Sequence, residues 1–311
     1  MCKVSVLVAT YNQEKYIAKT LQSVANQKTD FEYEVIVGDD ASKDSTGKIV
    51  EEFGKKYPDI IRPVVREKNI GAYRNFLDLL GRAKGEYLAL LEGDDYWIDE
   101  EKLQKQVTFL DSHPDHVAVF GKRIVIDEND DRNEEAEKYI PYFRGGEYTS
   151  RDYEEYILPG QTATSMYRKD TVFRLMDTFR KNKKIMPRVP VVDCFLVLGI
   201  MSFGKIYTLS DYLAAYRYIL DKNSGSWSSK NDYYSVRNML FYLYGMKEME
   251  RVGKHLGIEL NFDKRRWYEF EKVAGYKGKM SILSINLIRF FIWLWYRDKK
   301  NFLTLLKDRH R

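Results

Sequence analysis

Residues 86–95 read EYLALLEGDD, an apolar run that ends directly in a group of acids. A short apolar run without polar alternation is typical of a strand buried on both faces, as in a parallel sheet. Asp and Gly favour turns, so the acids are expected just beyond the carboxyl end of this strand. We therefore predict a buried strand that delivers Glu92, Asp94 and Asp95 to one edge of a sheet.

Two earlier apolar runs end in a similar manner. Residues 3–9 (KVSVLVA) lead into Thr10, Tyr11 and Asn12, and residues 33–38 (YEVIVG) stop at Asp39 and Asp40. The carboxyl ends of parallel strands share one edge of a sheet, and ligands bind beyond that edge. The three polar clusters are therefore predicted to converge on one crevice.

The segments between these strands have helical periodicity. Apolar spacing predicts helices over about 14–26, 72–83 and 100–111, and the sequence SKDST (42–46) can cap another one. A further strand is predicted at 61–65. Strands that alternate with helices of this length predict a right-handed, mostly parallel, layered α/β sheet.

Composition and charge exclude several classes of protein. With 44% hydrophobic and 31% charged residues, the chain is expected to fold. Its formal charge of +5 is uneven, because residues 262–311 carry thirteen Lys/Arg and five Asp/Glu, so a generally basic nucleic-acid binder is disfavoured. Cys2 and Cys194 have neither zinc-ligand nor disulfide spacing, which fits a reducing cytoplasm. His113 and His116 are predicted to be exposed residues of a turn.

The acidic segment has the chemistry of a divalent-cation site. Carboxylate oxygens are the ligands that Mg²⁺ and Mn²⁺ prefer, so Asp94 is predicted to bind such an ion. Asp95 would orient a water ligand or a donor sugar. The alternative is an acidic turn without a ligand.

Four segments together resemble the successive motifs of family 2 glycosyltransferases with the GT-A fold. They are VSVLVATYN (4–12), EVIVGDDASKDST (34–46), NIGAYRN (69–75) and GEYLALLEGDDYW (85–97). Their order and spacing match over roughly the first 110 residues, and residues 191–217 resemble the acceptor-side half of the same family. The resemblance implies a Rossmann-like layered sheet, followed here by a helical C-terminal extension.

The resemblance also implies roles for the matching positions. The nucleotide- and donor-binding set is Thr10, Tyr11, Asn12, Asp39, Asp40, Asn69, Gly71, Asn75, Glu92, Asp95 and Arg217. Asp39 would accept a hydrogen bond from N3–H of uracil or thymine, and Asp40 would support the loop. Asp94 matches the metal-binding carboxylate of the Asp-x-Asp motif, whose first position is Glu92 here.

On the acceptor side, Asp193 matches the catalytic base of the family. Its apolar neighbours would raise its pKa and strengthen it as a base, although an aspartate before an apolar run can also be a helix N-cap. Arg217 would face the diphosphate or lie at the surface, and Tyr218 stands where many relatives have a histidine. Trp227 would stack on an acceptor sugar or pack internally.

The expected organisation is a GT-A domain over 1–225, with a nucleotide-binding half (1–115) and an acceptor half (116–225), followed by a basic helical region over 226–311. Within that region, residues 280–311 would either lie in a membrane interface or pack against the domain. The expected location is the cytoplasm, at the inner face of the membrane if this segment binds lipid.

The function that the resemblance implies is an inverting, metal-dependent transfer of one sugar. The donor would be a nucleotide diphosphate sugar, with UDP as the expected nucleotide, and the acceptor a hydroxyl of a surface polysaccharide or lipid-linked glycan. Two alternatives stay open: a sugar-phosphate nucleotidyltransferase, which would need a glycine-rich basic N-terminal loop, and a non-catalytic glycan-binding module, which would not need both Asp94 and Asp193.

Overall fold

The structure is a computed structural model that describes residues 2–139, 143, 145–182, 184–187, 192–219 and 236–274. Trp227 and the segment 280–311, both singled out from the sequence, lie outside the described residues. In chain order the elements are β1 (Val4–Thr10), α1 (Ile17–Ala25), β2 (Tyr33–Asp39), α2 (Thr46–Lys56), β3 (Ile61–Val65), α3 (Ala72–Arg82), β4 (Tyr87–Glu92), β5 (Tyr96–Trp97), α4 (Lys102–Ser112), β6 (His116–Ile126), α5 (Glu134–Tyr139), β7 (Gly146–Tyr148), α6 (Ser150–Glu154), a 3-10 turn (Thr162–Thr164), β8 (Met166–Arg168), α7 (Lys169–Lys181), α8 (Val192–Met201), β9 (Lys205–Arg217), α9 (Val236–His255) and α10 (Asp263–Ala274).

The described strands form one sheet in which the first four are parallel, in the order β3-β2-β1-β4. The sheet continues as β8-β6-β9-β5 with mixed directions, and β7 pairs with β9. β8 runs antiparallel to both β4 and β6, whereas β6 and β9 are parallel. This arrangement confirms the predicted layered α/β fold with its parallel central strands.

The central strands lack polar alternation because helices cover both of their faces. Val6, Val37 and Leu91 belong to a buried cluster that also contains apolar residues of α1, α2 and α4. On the other face α3 packs against β1 and β2, where a Cβ added at Gly38 would lie 2.9 Å from Leu79 Cδ2. Since neighbouring residues of a strand point to opposite faces, both sets must be apolar.

The chain divides into two compact units, and the site described below lies entirely in the first, which comprises Met1–Thr149, Ile157–Lys183 and Val192–Tyr218. The described residues of the second unit are 150–156, 184–187, 219 and 236–274. Within it, the Arg266 guanidinium pairs with Glu250 at 2.5 Å and with Asp263 at 3.0 Å. None of the helices in the described part of the chain has the length and apolarity needed to cross a membrane.

The prediction that His116 is an exposed turn residue is wrong. His116 begins β6 and is 3% exposed. Its Nδ1 lies 2.9 Å from Asp115 Oδ1 and its Nε2 lies 2.9 Å from Glu147 Oε1. A polar ring can be buried in this way because both nitrogens have partners. His113, by contrast, is exposed.

Candidate active site

The carboxyl ends of β1, β2 and β4 lie side by side. In the strand register Thr10 is opposite Asp39, and Ala9 is opposite Glu92. The three polar clusters therefore meet at one edge of the sheet, as their positions after the strands predicted.

The turn after β2 is built around Asp39 and Asp40. Asp39 is 1% exposed, and its carboxylate accepts hydrogen bonds from the backbone N–H and the hydroxyl of Ser42. The carboxylate of Asp40 accepts the backbone N–H groups of Ile70 and Gly71, each at 2.8 Å. Asp40 thus ties the turn after β2 to the loop that precedes α3.

The 69–71 loop is held to the same turn by further contacts. Asn69 Nδ2 donates to the Asp40 carbonyl at 2.8 Å. Gly71 has a φ of +87°, a left-handed conformation that disfavours a side chain. Asn69 and Gly71 therefore shape the loop beside the turn after β2.

The end of β1 interlocks with the turn after β2. Asn12, with a φ of +53°, donates its backbone N–H to the Ser42 hydroxyl and accepts the Lys43 N–H on Oδ1, both at 2.8 Å. Ala41 also has a positive φ, +61°. Non-glycine residues in this conformation need support from their surroundings and concentrate at functional sites. Tyr11, beside Asn12, is 43% exposed and leaves an aromatic face accessible.

Asn75 lies beneath the sheet edge and is 1% exposed. Its Nδ2 donates to the Gly38 carbonyl at 2.8 Å, and its Oδ1 accepts from Arg66 Nη2 at 2.9 Å. A Cβ at Gly38 would lie 2.4 Å from Asn75 Oδ1. These contacts give Asn75 a structural position under β2, whereas the resemblance had placed it near the nucleotide or donor.

The acidic segment after β4 is folded tightly against α1. The Thr20 hydroxyl contacts the carbonyls of Gly93 and Asp95 at 2.9 and 2.7 Å. Asp95 is 2% exposed and accepts the backbone N–H of Arg217 on Oδ1 at 2.8 Å. This carboxylate is consequently directed into the protein and holds the end of β9.

The carboxylates of the segment resist ionisation. Burial, followed by the charge of Asp94, raises the pKa of Glu92 to about 8. Burial also raises the pKa of Asp94, and burial together with the charges of Asp94 and Glu92 raises the pKa of Asp95 well above its usual range. A positive ion beside these groups would favour their charged forms.

The carboxylates of this segment fit a cation whose remaining ligands come from a substrate and from water. Glu92 Oε2 is buried without a hydrogen-bond partner, which leaves one carboxylate oxygen unused. Within the described ranges there is no group of three or more His, Cys, Asp or Glu residues arranged to hold a metal by themselves. Mg²⁺ at phosphate sites is commonly held by one or two carboxylates, with phosphate oxygens and water completing the shell. Asp94 and Glu92 could supply the protein part of such a shell.

Asp193 lies in the first turn of α8 and accepts the Cys194 N–H at 2.8 Å. Asp193 is exposed as a whole residue. Burial of its carboxyl group nevertheless raises the pKa of that group. Its charge also contributes to the raised pKa of Glu92. Burial, followed by the charges of Asp193 and Glu92, raises the pKa of Tyr167 as well. Asp193 therefore interacts electrostatically with Glu92 and Tyr167.

Arg217 has its donors directed to protein groups. Nε donates to the Asp94 carbonyl at 2.9 Å, Nη1 donates to the Asp127 carbonyl at 2.6 Å, and Nη2 pairs with the Asp130 carboxylate. The guanidinium also lies 4.1 Å from the centre of the Tyr16 ring, and the side chain is 1% exposed. Neither predicted alternative, a diphosphate contact or a surface arginine, describes these contacts, which anchor the acidic segment to the loop after β6.

Sequence reasoning missed two polar side chains of the site. Gln13 lowers the pKa of Asp94, and Thr162 lowers the pKa of Glu92, so each offsets part of the effect of burial on its carboxyl. Gln13 directly follows the polar cluster after β1, and this adjacency was a usable signal. Thr162 lies in a 3-10 turn whose sequence has no periodicity that connects it with β4.

Comparison with known proteins gives consistent matches. The family model "Glycosyl transferase family 2" matches residues 5–176. An uncharacterized protein of Mycobacterium tuberculosis is 48% identical over 131 residues, which are 42% of this chain and 38% of that protein. The Staphylococcus aureus poly(ribitol-phosphate) beta-N-acetylglucosaminyltransferase TarS is 41% identical over 119 residues, 36% of this chain and 20% of TarS. The chain thus spans well under two thirds of the length of these relatives.

Solved structures share the fold. The crystal structure of S. aureus TarS 1–349 in complex with UDP-GlcNAc matches with a TM-score of 0.60 and 23% identity, covering 98% of this chain and 80% of that one. A mannosyltransferase of Pyrobaculum calidifontis, in complex with GDP-Man and Mn²⁺, matches with a TM-score of 0.55 and 16% identity, covering 98% and 86%. The family match extends over more than half of the residues and includes the strand ends that form the crevice. By this match the chain belongs to glycosyl transferase family 2.

Proposed function

We propose that this protein is an inverting glycosyltransferase that moves one sugar from a UDP-sugar to a hydroxyl of a surface polysaccharide or lipid-linked glycan. The observation that carries the proposal is the meeting of the polar clusters after β1, β2 and β4 at one edge of the sheet, in a chain that belongs to glycosyl transferase family 2. A base, a group of carboxylates and a nucleotide pocket at one edge are what sugar transfer from a diphosphate needs.

The nucleotide would bind across the ends of β1 and β2. Asp39 is buried, and an ionised carboxylate can accept more hydrogen bonds than the two from Ser42, so it can take N3–H of uracil. The exposed ring of Tyr11 is available to stack on the base. The presence of UDP-GlcNAc in the TarS structure supports a UDP-sugar donor.

Asp94, with Glu92, would hold a divalent cation together with the diphosphate. Such an ion supplies Lewis-acid stabilisation of the departing diphosphate. The Mn²⁺ in the P. calidifontis mannosyltransferase structure supports this assignment. Asp95 serves it indirectly, since its carboxylate fixes the backbone of Arg217 and the Arg217 side chain fixes that of Asp94.

Asp193 would act as the base. The acceptor oxygen forms a bond to the anomeric carbon while the bond from that carbon to the diphosphate oxygen breaks, and the acceptor proton passes to the Asp193 carboxylate. A raised pKa makes this carboxylate a better proton acceptor once it is ionised. Attack on the face opposite the leaving group inverts the anomeric configuration.

The two alternative functions account for less of the site. A nucleotidyltransferase needs a glycine-rich basic loop after the first strand, whereas Tyr11, Asn12 and Gln13 follow β1 here. A glycan-binding module gives no reason for carboxylates with raised pKa beside a buried Asp39. We place the protein in the cytoplasm, as expected for a user of nucleotide sugars.

The metal assignment is tested by the thermal stability of Asp94→Ala. A ligand present at about a hundred times its Kd stabilises a protein by ~2.7 kcal/mol, so UDP with Mn²⁺ should raise the Tm of the wild type by several degrees. Asp94→Ala should lose this increase. Asp59→Ala should keep it, because Asp59 is exposed and precedes the amino end of β3, away from the carboxyl ends of the strands. A wild type whose Tm does not rise with UDP and Mn²⁺, or a normal rise for Asp94→Ala, would contradict the proposal.

A further inference from the structure

Both carboxylate oxygens of Asp39 accept a hydrogen bond from Ser42. The Ser42 backbone N–H donates to Oδ2 at 3.2 Å, and the Ser42 hydroxyl contacts Oδ1. An ionised carboxylate only accepts hydrogen bonds, so the hydroxyl donates its proton here. Ser42 therefore fixes the plane in which the carboxylate lies.

The Ser42 hydroxyl is itself held from its other side. The backbone N–H of Asn12 donates to Ser42 Oγ at 2.8 Å, and Asn12 Oδ1 accepts the Lys43 N–H at 2.8 Å. Because Asn12 supplies a proton to Ser42 Oγ, the proton of the hydroxyl is left for Asp39. Asn12 thus helps to set the direction of the hydroxyl.

The loop that carries Ser42 is joined to the end of β1 at further points. The Glu14 N–H donates to Asp44 Oδ2 at 3.1 Å, and the Ser45 N–H donates to Glu14 Oε2 at 2.9 Å. The Thr46 hydroxyl accepts the Gln13 N–H at 2.8 Å and donates to Asp44 Oδ1 at 2.6 Å. Segments 12–14 and 42–46 therefore form one cross-linked loop pair.

The backbone of Asp39 is fixed as well. Its carbonyl accepts the Arg66 N–H at 3.1 Å, and the N–H of the next residue, Asp40, donates to the Thr10 carbonyl at 3.1 Å. Rotation about the side-chain bonds is the freedom that remains to Asp39, and the two bonds from Ser42 restrict it.

A fixed acceptor at this position distinguishes between pyrimidine bases. N3 of uracil carries a hydrogen and can donate it to a carboxylate, whose lone pairs are not exhausted by two hydrogen bonds. N3 of cytosine carries no hydrogen at neutral pH and presents a lone pair instead. A site built around one hydrogen bond discriminates strongly against an analogue that lacks the matching group.

We propose that Ser42 is a positioning residue that holds the Asp39 carboxylate as an acceptor for the base, and that this makes the site favour uracil over cytosine. The inference rests on the proposed function, in which Asp39 accepts N3–H of uracil. It gives Asn12 a supporting role through Ser42, where the family resemblance implies a contact with the nucleotide or donor.

Ser42→Ala tests the proposal because it removes the hydroxyl, and Ser42→Thr is the conservative variant that retains it. Thr46→Val is the matched control: it removes a hydroxyl from the same loop pair, and that hydroxyl contacts Gln13 and Asp44. The Kd values of UDP and of CDP, each with Mn²⁺, are measured by calorimetry. UDP and CDP differ only in the base, so the ratio of the two Kd values reports the contact with the base. Melting temperatures without ligand show that each variant folds.

The wild type should bind UDP more tightly than CDP. In Ser42→Ala we expect the Kd of UDP to rise by about tenfold or more, as for loss of a hydrogen bond to a charged group, while the Kd of CDP stays unchanged. Ser42→Thr should keep the preference of the wild type. In Thr46→Val any change should affect UDP and CDP equally.

A wild-type preference for UDP in a folded Ser42→Ala would overturn the proposal. An equal loss of UDP and CDP binding would do the same, because it would show a general loosening of the loops. Equal binding of UDP and CDP by the wild type would also overturn it. A wild type that binds neither nucleotide with Mn²⁺ would instead overturn the proposed function, so the two failures are distinguishable.

Discussion

Lys102 shows how much of the support for the site comes from buried polar side chains. It is 0% exposed, and its ammonium nitrogen lies 2.7 Å from Gln106 Oε1 and 3.4 Å from the Ser165 carbonyl. The nitrogen also lies 4.2 Å from the centre of the Trp97 ring. Burial holds the pKa of this lysine well below its usual range. Lys102 therefore contributes a hydrogen bond to the segment that follows Thr162.

This burial predicts a dependence of stability on pH. In the unfolded chain Lys102 stays protonated up to about pH 10.4, whereas in the folded chain it loses its proton at a lower pH. Between these two pKa values the unfolded chain binds more protons, so the contribution of Lys102 to stability rises with pH. Lys102→Met has no proton to bind. We therefore expect the Tm of Lys102→Met, relative to the wild type, to fall as the pH is raised from about 7 to 10.

Lys105→Met is the matched control, one turn further along α4. Lys105 pairs with Asp99 at 2.6 Å and Asp211 at 3.0 Å, and these partners raise its pKa. The stabilisation that Lys105 provides is lost only above the usual lysine pKa. The Tm difference between Lys105→Met and the wild type should therefore stay constant over the same pH range. A constant difference for Lys102→Met as well would show that Lys102 is charged in the folded protein.

At the scale of elements, Arg217 connects the end of β9 to two loops. Its backbone contacts Asp95, and its side chain contacts Asp94, Asp127 and Asp130. Lys19 of α1 adds a second cation, 2.9 Å from Asp130 Oδ2. These contacts place the acidic segment and the 127–130 loop in fixed positions relative to β9.

Arg217→Met should therefore destabilise the protein by about 1.5–3 kcal/mol, because it removes the charge-assisted hydrogen bonds of a buried guanidinium. Arg132→Met is the control, because the exposed pair of Arg132 and Glu137, 3.1 Å apart, should contribute at most about 1 kcal/mol. Urea unfolding measures both. Equal losses for the two variants would mean that Arg217 does not anchor the loops.

The elements of the parallel half follow from the sequence, because each has a local signal. Apolar runs identify β1, β2 and β4, and helical spacing identifies α1, α3 and α4 within a few residues. The side-by-side arrangement of Thr10, Asp39 and Glu92 at the strand ends then follows from the rules for parallel sheets.

The destinations of polar side chains could not be predicted in this way. Arg217 contacts Asp94, 123 positions away, and Asn75 contacts Gly38, 37 positions away. His116 is buried because Glu147, on another strand, satisfies its ring. Such pairings depend on tertiary partners that no local pattern specifies.

At the scale of the whole chain, the site combines residues that lie inside the family match with one that lies beyond it. The family match over 5–176 includes Asp39 and Asp94, whereas Asp193 lies beyond it. The two regions meet through the sheet, where β8 joins β4 to β6 and β6 pairs with β9. The assignment of Asp193 is consequently the part of the account that most needs a direct test.

That test is the release of UDP from a panel of UDP-sugars with Mn²⁺, with water in place of the acceptor hydroxyl. It compares the wild type, Asp193→Asn and the control Asp177→Asn, whose carboxylate pairs with Arg180 and Lys181 on α7. Asp193→Asn should release UDP about 100-fold more slowly or worse, as for loss of a general base, while binding UDP and Mn²⁺ normally. Asp177→Asn should match the wild type. Turnover by Asp193→Asn at the rate of the wild type would contradict the account, because the base would then lie elsewhere.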